Sequence, residues 1–263
     1  MLGKLLKYDL KWIYKVVIVF YALSFIFAII TRICFSIENS ALFGILGQIA
    51  AGFTISMLAS SLINGIMRSW ARFIINIYKD ESYLTHTLPI EKRQIYLSKV
   101  LAAIICIFVT VVVALVCLFI CYYSKENIEF LKQILELAAN TYDTTVINLL
   151  LVISFILFLE IVFVVLVGYV GIIIGHRANK NKMVNSIATG FGLYMFTNAL
   201  SLCLVGSIAM FNKDIMNLIN TMEIINIDVI KIIMISAIAI YMFYNVVYYF
   251  IGKRLLEKGV NVD

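Results

Sequence analysis

The chain has 263 residues, of which 63% are apolar and 14% are Asp, Glu, Lys or Arg, with a formal net charge of +6. Soluble domains average roughly 45–50% apolar and about 25% charged residues, so this chain carries too little charge to cover a water-exposed surface. The composition excludes a soluble enzyme, a soluble nucleic-acid-binding protein, a secreted disulfide scaffold and a disordered chain. It predicts an integral membrane protein.

The first fifteen residues mix basic side chains with leucine, isoleucine and tryptophan. The basic ones are Lys4, Lys7, Lys11 and Lys15. Such a mixture is typical of a helix that lies in the membrane interface. We predict an interfacial amphipathic helix over residues 1–15, ahead of the first crossing, and the alternative is a simple basic flank.

Six runs of apolar residues, charge-free or nearly so, follow along the chain. A spanning helix needs about 20 mostly apolar residues, so each run supports one crossing. The predicted fold is an all-α polytopic membrane protein with a single transmembrane domain over 1–263. Its predicted spans are 16–36, 40–67, 97–123, 146–174, 183–211 and 231–252. The longer outer loops, 124–143 and 212–230, are predicted to form short helical pieces at the outer surface.

The distribution of Lys and Arg predicts the orientation. With a cytoplasmic N-terminus, the inside segments, including the loop 68–95 and the tail 253–263, hold 16 of the 21 basic residues. Short cytoplasmic loops carry an excess of Lys and Arg, so both termini are predicted to be cytoplasmic. The net positive charge is thus explained by anionic membrane lipid as the partner, and no nucleic-acid partner is predicted.

Small residues recur at every fourth position in two spans. They are Gly52, Ser56 and Ser60 in the second span, and Gly171 and Gly175 in the fourth. Small residues on one stripe let helix backbones approach closely inside a bilayer. We therefore predict helix packing at these positions.

Glu160 is the only acidic residue within a predicted span. An ionisable group there is costly to insert and is a candidate functional residue by default. One hypothesis places Glu160 in a translocation path, in contact with substrate or a proton. The other makes it a packing residue that is hydrogen-bonded to Asn64 or Asn198.

The loop 68–95 holds the single proline of the chain, Pro89. Acidic and hydroxyl residues suit a first helical turn, so a new helix can begin at Asp80, Glu81 or Ser82. A proline disfavours helical geometry in the residue before it, which ends the helix there. The loop therefore predicts a short isolated helix that presents Tyr83, Leu84, Thr87 and Leu88.

This loop resembles that between the second and third helices of ABC-2-type transporter permeases. The similarity lies in Tyr78-Lys-Asp-Glu-Ser-Tyr-Leu-Thr-His-Thr-Leu-Pro-Ile90 and in the following Ser98-Lys99. It is closest to small bacterial permeases whose loop reads like DE-G-Y-L-T-x-T-L-P-V, with Ser82 in place of the glycine and Ile90 in place of the valine. In that family the segment is a coupling helix that docks on the ATP-binding subunit. The resemblance implies that role for Asp80, Glu81, Tyr83, Leu84, His86, Thr87 and Leu88.

The resemblance implies a permease subunit of an ATP-binding cassette exporter in the bacterial plasma membrane. Its substrate would be a peptide, drug or lipid-like molecule, and its partners an ATP-binding cassette subunit and a second permease chain in a homo- or heterodimer. The sequence has no GxxxxGK[ST] phosphate loop, so ATP and Mg would be bound by the partner. No catalytic or metal-binding residue is predicted, because neither His86 nor His176 lies in an HExxH pattern. The alternatives are an ATP-independent transporter or channel that uses Glu160, and a membrane sensor or scaffold partnered with an ATPase.

Overall fold

The computed structural model describes residues 2–37, 40–87, 89–123, 129, 133, 135–136, 144–211 and 227–259. This part of the chain is helical and contains no strand. Its helices are α1 (Leu2–Ser36), α2 (Ala41–Ile77), α3 (Ser82–Thr87), α4 (Lys92–Tyr122), α5 (Val146–Gly175), α6 (Lys182–Phe211) and α7 (Ile227–Glu257). All but α3 contain a stretch long and apolar enough to cross a membrane. The prediction of a multi-pass membrane protein with six membrane-length helices is confirmed.

The chain divides into two compact units, of which unit 1 comprises Met1–Phe130 and Val262–Asp263. In unit 1, α1 packs against both α2 and α4, and α2 also contacts α4 and α3. Ile13 and Val17 of α1 form a buried cluster with Ala102 and Cys106 of α4. A hydroxyl pair 2.6 Å apart, made by Tyr21 and Thr110, joins the same two helices. Burial of apolar side chains therefore makes α1 the central helix of the unit.

Helix α1 is continuous, whereas the sequence predicts a separate interfacial helix before the first span. It begins at Leu2 and ends at Ser36 without a break at Lys15. Residues 4–36 contain neither glycine nor proline, the two residues that most readily interrupt a helix. The two predicted segments are thus one helix, and the interfacial placement of residues 1–15 stays a prediction.

Unit 2 covers Leu131–Asn261, and in it α5 packs against both α6 and α7. The α5–α6 contact is very close, because a Cβ atom on Gly171 would lie 2.5 Å from the Gly190 Cα atom. A Cβ atom on Gly175 would overlap the backbone of Ser186 in the same way. Thr189 donates a 2.9 Å hydrogen bond across the contact to the Gly171 carbonyl. The GxxxG pair of α5 therefore faces an SxxxG pair on α6.

The second predicted packing stripe differs from the one that the structure buries. Gly52 and Ser56 face outward, Ser60 is half-buried, and a Cβ atom on Gly52 would meet nothing within 4 Å. The buried face of α2 carries other small residues instead, namely Gly47, Ala50, Ala51, Thr54, Ser61, Gly65 and Ser69. Both stripes consist of small residues that would allow close helix contact. Only the buried stripe leads on to Arg72, the polar residue of α2 that contacts α1. Gly52, Ser56 and Ser60 therefore do not form the packed face of α2 within unit 1, and helix packing at these positions stays a prediction.

Most residues of the two predicted outer loops lie outside the described residues. The helical pieces predicted over 124–143 lie outside the described residues apart from residues 129, 133, 135 and 136. Of the predicted loop 212–230, the described part is 227–230, which forms the first turn of α7. The last helix thus begins four residues before the predicted span.

Candidate functional site

One buried carboxylate joins three helices of unit 1. Asp9 of α1 is 2% exposed. It accepts hydrogen bonds from Arg72 Nε of α2 at 3.0 Å and from Ser98 Oγ of α4 at 2.8 Å. Lys99 Nζ of α4 donates to it at 2.5 Å. A buried charge is tolerated only when it is paired and hydrogen-bonded, and Asp9 meets both conditions.

The helical repeat of α1 explains why Asp9 points inward. Residues four apart lie on one face of a helix, so Asp9 shares its face with Leu5 and Ile13. Ile13 is 1% exposed and belongs to the cluster that packs on α4. Because this apolar face packs against the neighbouring helices, the Asp9 carboxylate comes to lie beside their cations, Arg72 and Lys99.

A second carboxylate extends the contacts to the start of α3. Glu81 directly precedes α3, and its Oε2 atom accepts from Arg72 Nη1 at 2.7 Å and from Asn76 Nδ2 at 3.0 Å. We call Asp9, Arg72, Asn76, Glu81, Ser98 and Lys99 the charge network. It contains two carboxylates and two cations, so its formal charge is zero. Through it, α3 is tied to α1, α2 and α4.

The Trp12 ring lies against two arginines of α2. The Arg68 guanidinium lies 3.8 Å from the centroid of the Trp12 ring, and that of Arg72 lies 5.6 Å from it. Arg68 Nη2 also donates to the Trp12 carbonyl at 3.2 Å. Cations on an aromatic face are attracted by the ring quadrupole, so Trp12 adds a second link between α1 and α2.

The outer face of α3 carries large apolar side chains. Tyr83 is 73% exposed and Leu84 is 72% exposed. Ser82 and Thr85 face inward and are buried, and the Thr85 hydroxyl donates to the Glu81 carbonyl at 2.9 Å. The short helix expected from Asp80–Ser82 and Pro89 is therefore present, with an anchored inner face and an open outer face.

The residues assigned to docking divide between these two faces. Asp80 and Thr87 are exposed beside Tyr83 and Leu84. Glu81 differs, because its carboxylate is turned inward to Arg72. The side chain of His86 and the whole of Leu88 lie outside the described residues. The structure thus gives Glu81 an anchoring position and leaves Tyr83 and Leu84 available for contact.

Glu160 lies on α5 in unit 2 and is half-buried. It is close enough to Tyr241 of α7 to interact with it electrostatically. The amides of Asn64 and Asn198 donate to carbonyls of their own helices at 2.8 and 2.9 Å. Within the described residues of unit 2, no hydrogen bond joins Glu160 to Asn198. The pairing with Asn64, which belongs to unit 1, stays a prediction.

An aromatic cluster begins three residues further along α5. The Phe163 ring centroid lies 5.6–6.1 Å from those of Tyr194, Tyr241, Tyr244 and Tyr248. Tyr248 pairs with the Thr197 hydroxyl at 2.5 Å. Glu160 therefore borders a mainly aromatic surface with hydroxyl groups at its rim.

Sequence reasoning missed Asp9 and Arg72, the centre of the charge network. The available signal is that Asp9 is the one acidic residue among the first 37 and stands on the apolar face of its helix. Within the described residues, no three His, Cys, Asp or Glu side chains group as a metal site. The charges of the network pair with one another, so the network is better suited to link helices than to bind a ligand.

Comparison with known proteins yields no relative. No family model matches the chain, and no curated protein or solved structure matches it either. Function is therefore inferred from the charge network, from the exposed face of α3 and from the residues of the loop 78–90.

Proposed function

We propose that this chain is the membrane-spanning permease subunit of an ATP-binding cassette exporter. It would move a peptide, drug or lipid-like substrate outward across the bacterial plasma membrane, paired with a second permease chain. A separate subunit would bind ATP and Mg and hydrolyse the ATP. The observation that carries the proposal is α3, a short helix that exposes Tyr83 and Leu84 while its base is held by Glu81. Aromatic anchors beside an aliphatic side chain are typical of the centre of a protein interface.

The charge network explains how a force on α3 would reach the spans. A partner that displaces α3 would pull on Glu81, and hence on Arg72 of α2. Arg72 shares Asp9 with Lys99, so the same displacement would act on α1 and α4. Removing one partner of a buried ion pair costs about 3–5 kcal/mol, so the Asp9 pairs would keep α1, α2 and α4 moving together. The Glu81 side chain is 39% exposed, so its pair with Arg72 is the weaker link of the network. ATP-driven motion of the partner would then switch the permease between its inside-facing and outside-facing states.

We expect the double variant Tyr83→Ala/Leu84→Ala to lose its ATP-binding subunit. Truncation of interface anchors costs about 2 kcal/mol or more, which weakens association at least about thirtyfold. A photo-crosslinking amino acid at position 83 of the full chain, in its native membrane, should first capture a protein with a GxxxxGK[ST] phosphate loop. Co-purification of that protein and its ATPase rate would then be measured with the wild-type chain and the double variant.

The matched control is Tyr8→Ala/Leu42→Ala, which removes the same side chains from exposed positions elsewhere in unit 1. Tyr8 is 64% exposed and Leu42 is 73% exposed. The control should retain the ATP-binding subunit. Equal loss in both double variants, or retention in both, would remove the docking role of α3. Retention of the subunit without ATP-driven transport would favour a sensor or scaffold partnered with an ATPase.

The position of Glu160 supports a second candidate, an ATP-independent transporter or channel. A half-buried carboxylate beside Tyr241, within a span, is suited to bind a proton or cation. On the exporter proposal, the purified chain alone should carry no proton flux into vesicles loaded with a pH-sensitive dye. Proton flux that disappears in Glu160→Gln, with assembly unchanged, would favour this second candidate.

A further inference from the structure

The exposed face of α1 changes character along its length. Its first part carries four exposed lysines, Lys4, Lys7, Lys11 and Lys15, which we call the lysine stripe. Beyond Lys15 the same face continues with the exposed side chains Ile18, Ile26, Ile29 and Ile33. Spacings of three, four and eight residues place these side chains on one side of a helix. A single continuous surface is therefore cationic at one end and aliphatic beyond it.

The positive charge of the lysine stripe is not neutralised by the described residues. Within the described residues, none of the four lysines forms an ion pair. Asp9, the carboxylate of α1, lies on the opposite face and is bound by Arg72 and Lys99. Arg93, an exposed cation elsewhere in unit 1, pairs with Glu91. The lysine stripe is thus a concentrated positive surface without a counter-ion among the residues that the structure describes.

We infer that the lysine stripe binds the headgroups of anionic phospholipids, with their acyl chains lying along Ile18 and the isoleucines beyond it. A phosphodiester headgroup matches the lysines in charge, and each cation near a membrane surface contributes to such binding. An acyl chain matches the aliphatic continuation of the same face. A soluble anion or an acidic protein would use only the lysines. This inference goes beyond the exporter proposal and does not depend on it.

Trp12 lies at the edge of this surface, with its ring against Arg68, and can report on the lipids beside it. The chain has two tryptophans, and Trp12 follows Lys11 directly on α1. The variant Trp70→Phe would leave Trp12 as the sole source of tryptophan fluorescence. Brominated lipids quench a nearby indole, so quenching of Trp12 measures which lipids occupy this part of α1.

The full-length Trp70→Phe chain would be reconstituted in phosphatidylcholine vesicles with increasing fractions of brominated phosphatidylglycerol or brominated phosphatidylcholine. We expect the relative association constant to favour phosphatidylglycerol about fivefold or more, the effect of one cation near a membrane surface. Lys4→Gln/Lys7→Gln/Lys11→Gln/Lys15→Gln should lower the ratio to about one. The corresponding four arginine substitutions should preserve it, which separates charge loss from misfolding.

A control variant removes four basic residues from unit 2, as Lys180→Gln/Lys253→Gln/Arg254→Gln/Lys258→Gln. It should keep the preference of Trp12 for phosphatidylglycerol. Equal quenching by the two brominated lipids in the parent, or equal loss in the two glutamine variants, would overturn the inference. So would displacement of the brominated phosphatidylglycerol by millimolar inorganic phosphate, because the surface would then bind free anions.

Discussion

Replacement of Asp9 by Asn is expected to destabilise unit 1 by about 3–5 kcal/mol, the cost of removing one charged partner of a buried ion pair. Asn has the size of Asp but lacks its charge, so Lys99 and Arg72 would lose the carboxylate that both now contact. Arg72 would keep its pair with Glu81, whereas Lys99 would lose the carboxylate that lies 2.5 Å from its Nζ atom. For a chain of this size the loss corresponds to a melting temperature lower by on the order of 10 °C.

The unfolding of this variant can be followed at a buried thiol of the same unit. Cys106 is fully buried beside Ile13 and Val17, so a thiol-reactive fluorophore would label it only as unit 1 opens. Cys34 and Cys203, which are less buried, would be replaced by Ser to lower the background. The melting temperature of the detergent-purified chain is then read from the rise in fluorescence.

Glu91→Gln is the matched control, because it also removes a carboxylate from an ion pair. The Glu91 side chain is 57% exposed, whereas that of Asp9 is 3% exposed. Exposed pairs contribute within about 1 kcal/mol, so its melting temperature should change little. Adding Lys99→Gln to Asp9→Asn should recover part of the lost stability, since the buried cation that faced the Asp9 carboxylate is then gone. Similar shifts in Asp9→Asn and Glu91→Gln would contradict the structural role of the network.

Gly171→Ala is expected to destabilise unit 2 by about 1–3 kcal/mol, the usual cost of overpacking a close contact. The added methyl group would lie 2.5 Å from the Gly190 Cα atom and 2.7 Å from its nitrogen. Backbone atoms cannot rotate away as a side chain can, so α5 and α6 would have to separate. Separation would also lengthen the hydrogen bond from Thr189 to the Gly171 carbonyl. Far-UV circular dichroism during titration of the micelles with SDS would measure the loss.

Gly192→Ala, on α6, is the control for this substitution. A Cβ atom there would meet nothing within 4 Å. Alanine is favoured over glycine inside a helix by about 0.5–1 kcal/mol, so this variant should be neutral or slightly more stable. If both alanine variants unfolded at the same SDS fraction, the close α5–α6 contact would not be what stabilises unit 2.

The elements that sequence reasoning located well are those set by local chemistry. Each span is a long apolar run, and the bilayer thickness dictates how many residues such a run needs. The short helix α3 follows from residues that suit a first turn, at Asp80–Ser82, and from Pro89 beyond its end. Neither inference requires knowledge of which helices become neighbours.

The features that sequence reasoning did not predict depend on contacts between residues that are distant in the sequence. Asp9 meets Arg72 across 63 residues and Lys99 across 90, and no local pattern reveals such a pairing. The same holds for Glu81, whose charge is equally suited to docking and to anchoring until Arg72 is placed beside it. On α2, the choice between the Gly52 stripe and the Gly65 stripe is likewise made by packing against α1 and α4.

Asp9 and Lys99 are separated by 90 residues in the sequence, which has a consequence for how the protein is synthesised. At a synthesis rate of about 5–20 residues per second, Asp9 leaves the ribosome roughly 5–20 s before Lys99 does. During that interval α1 is already available for membrane insertion, while its carboxylate lacks the cation and the hydroxyl that α4 supplies. Closure of unit 1 therefore has to follow the emergence of α4. Chains that stop before Lys99 would present an incompletely paired acid to the membrane, which distinguishes them from finished ones.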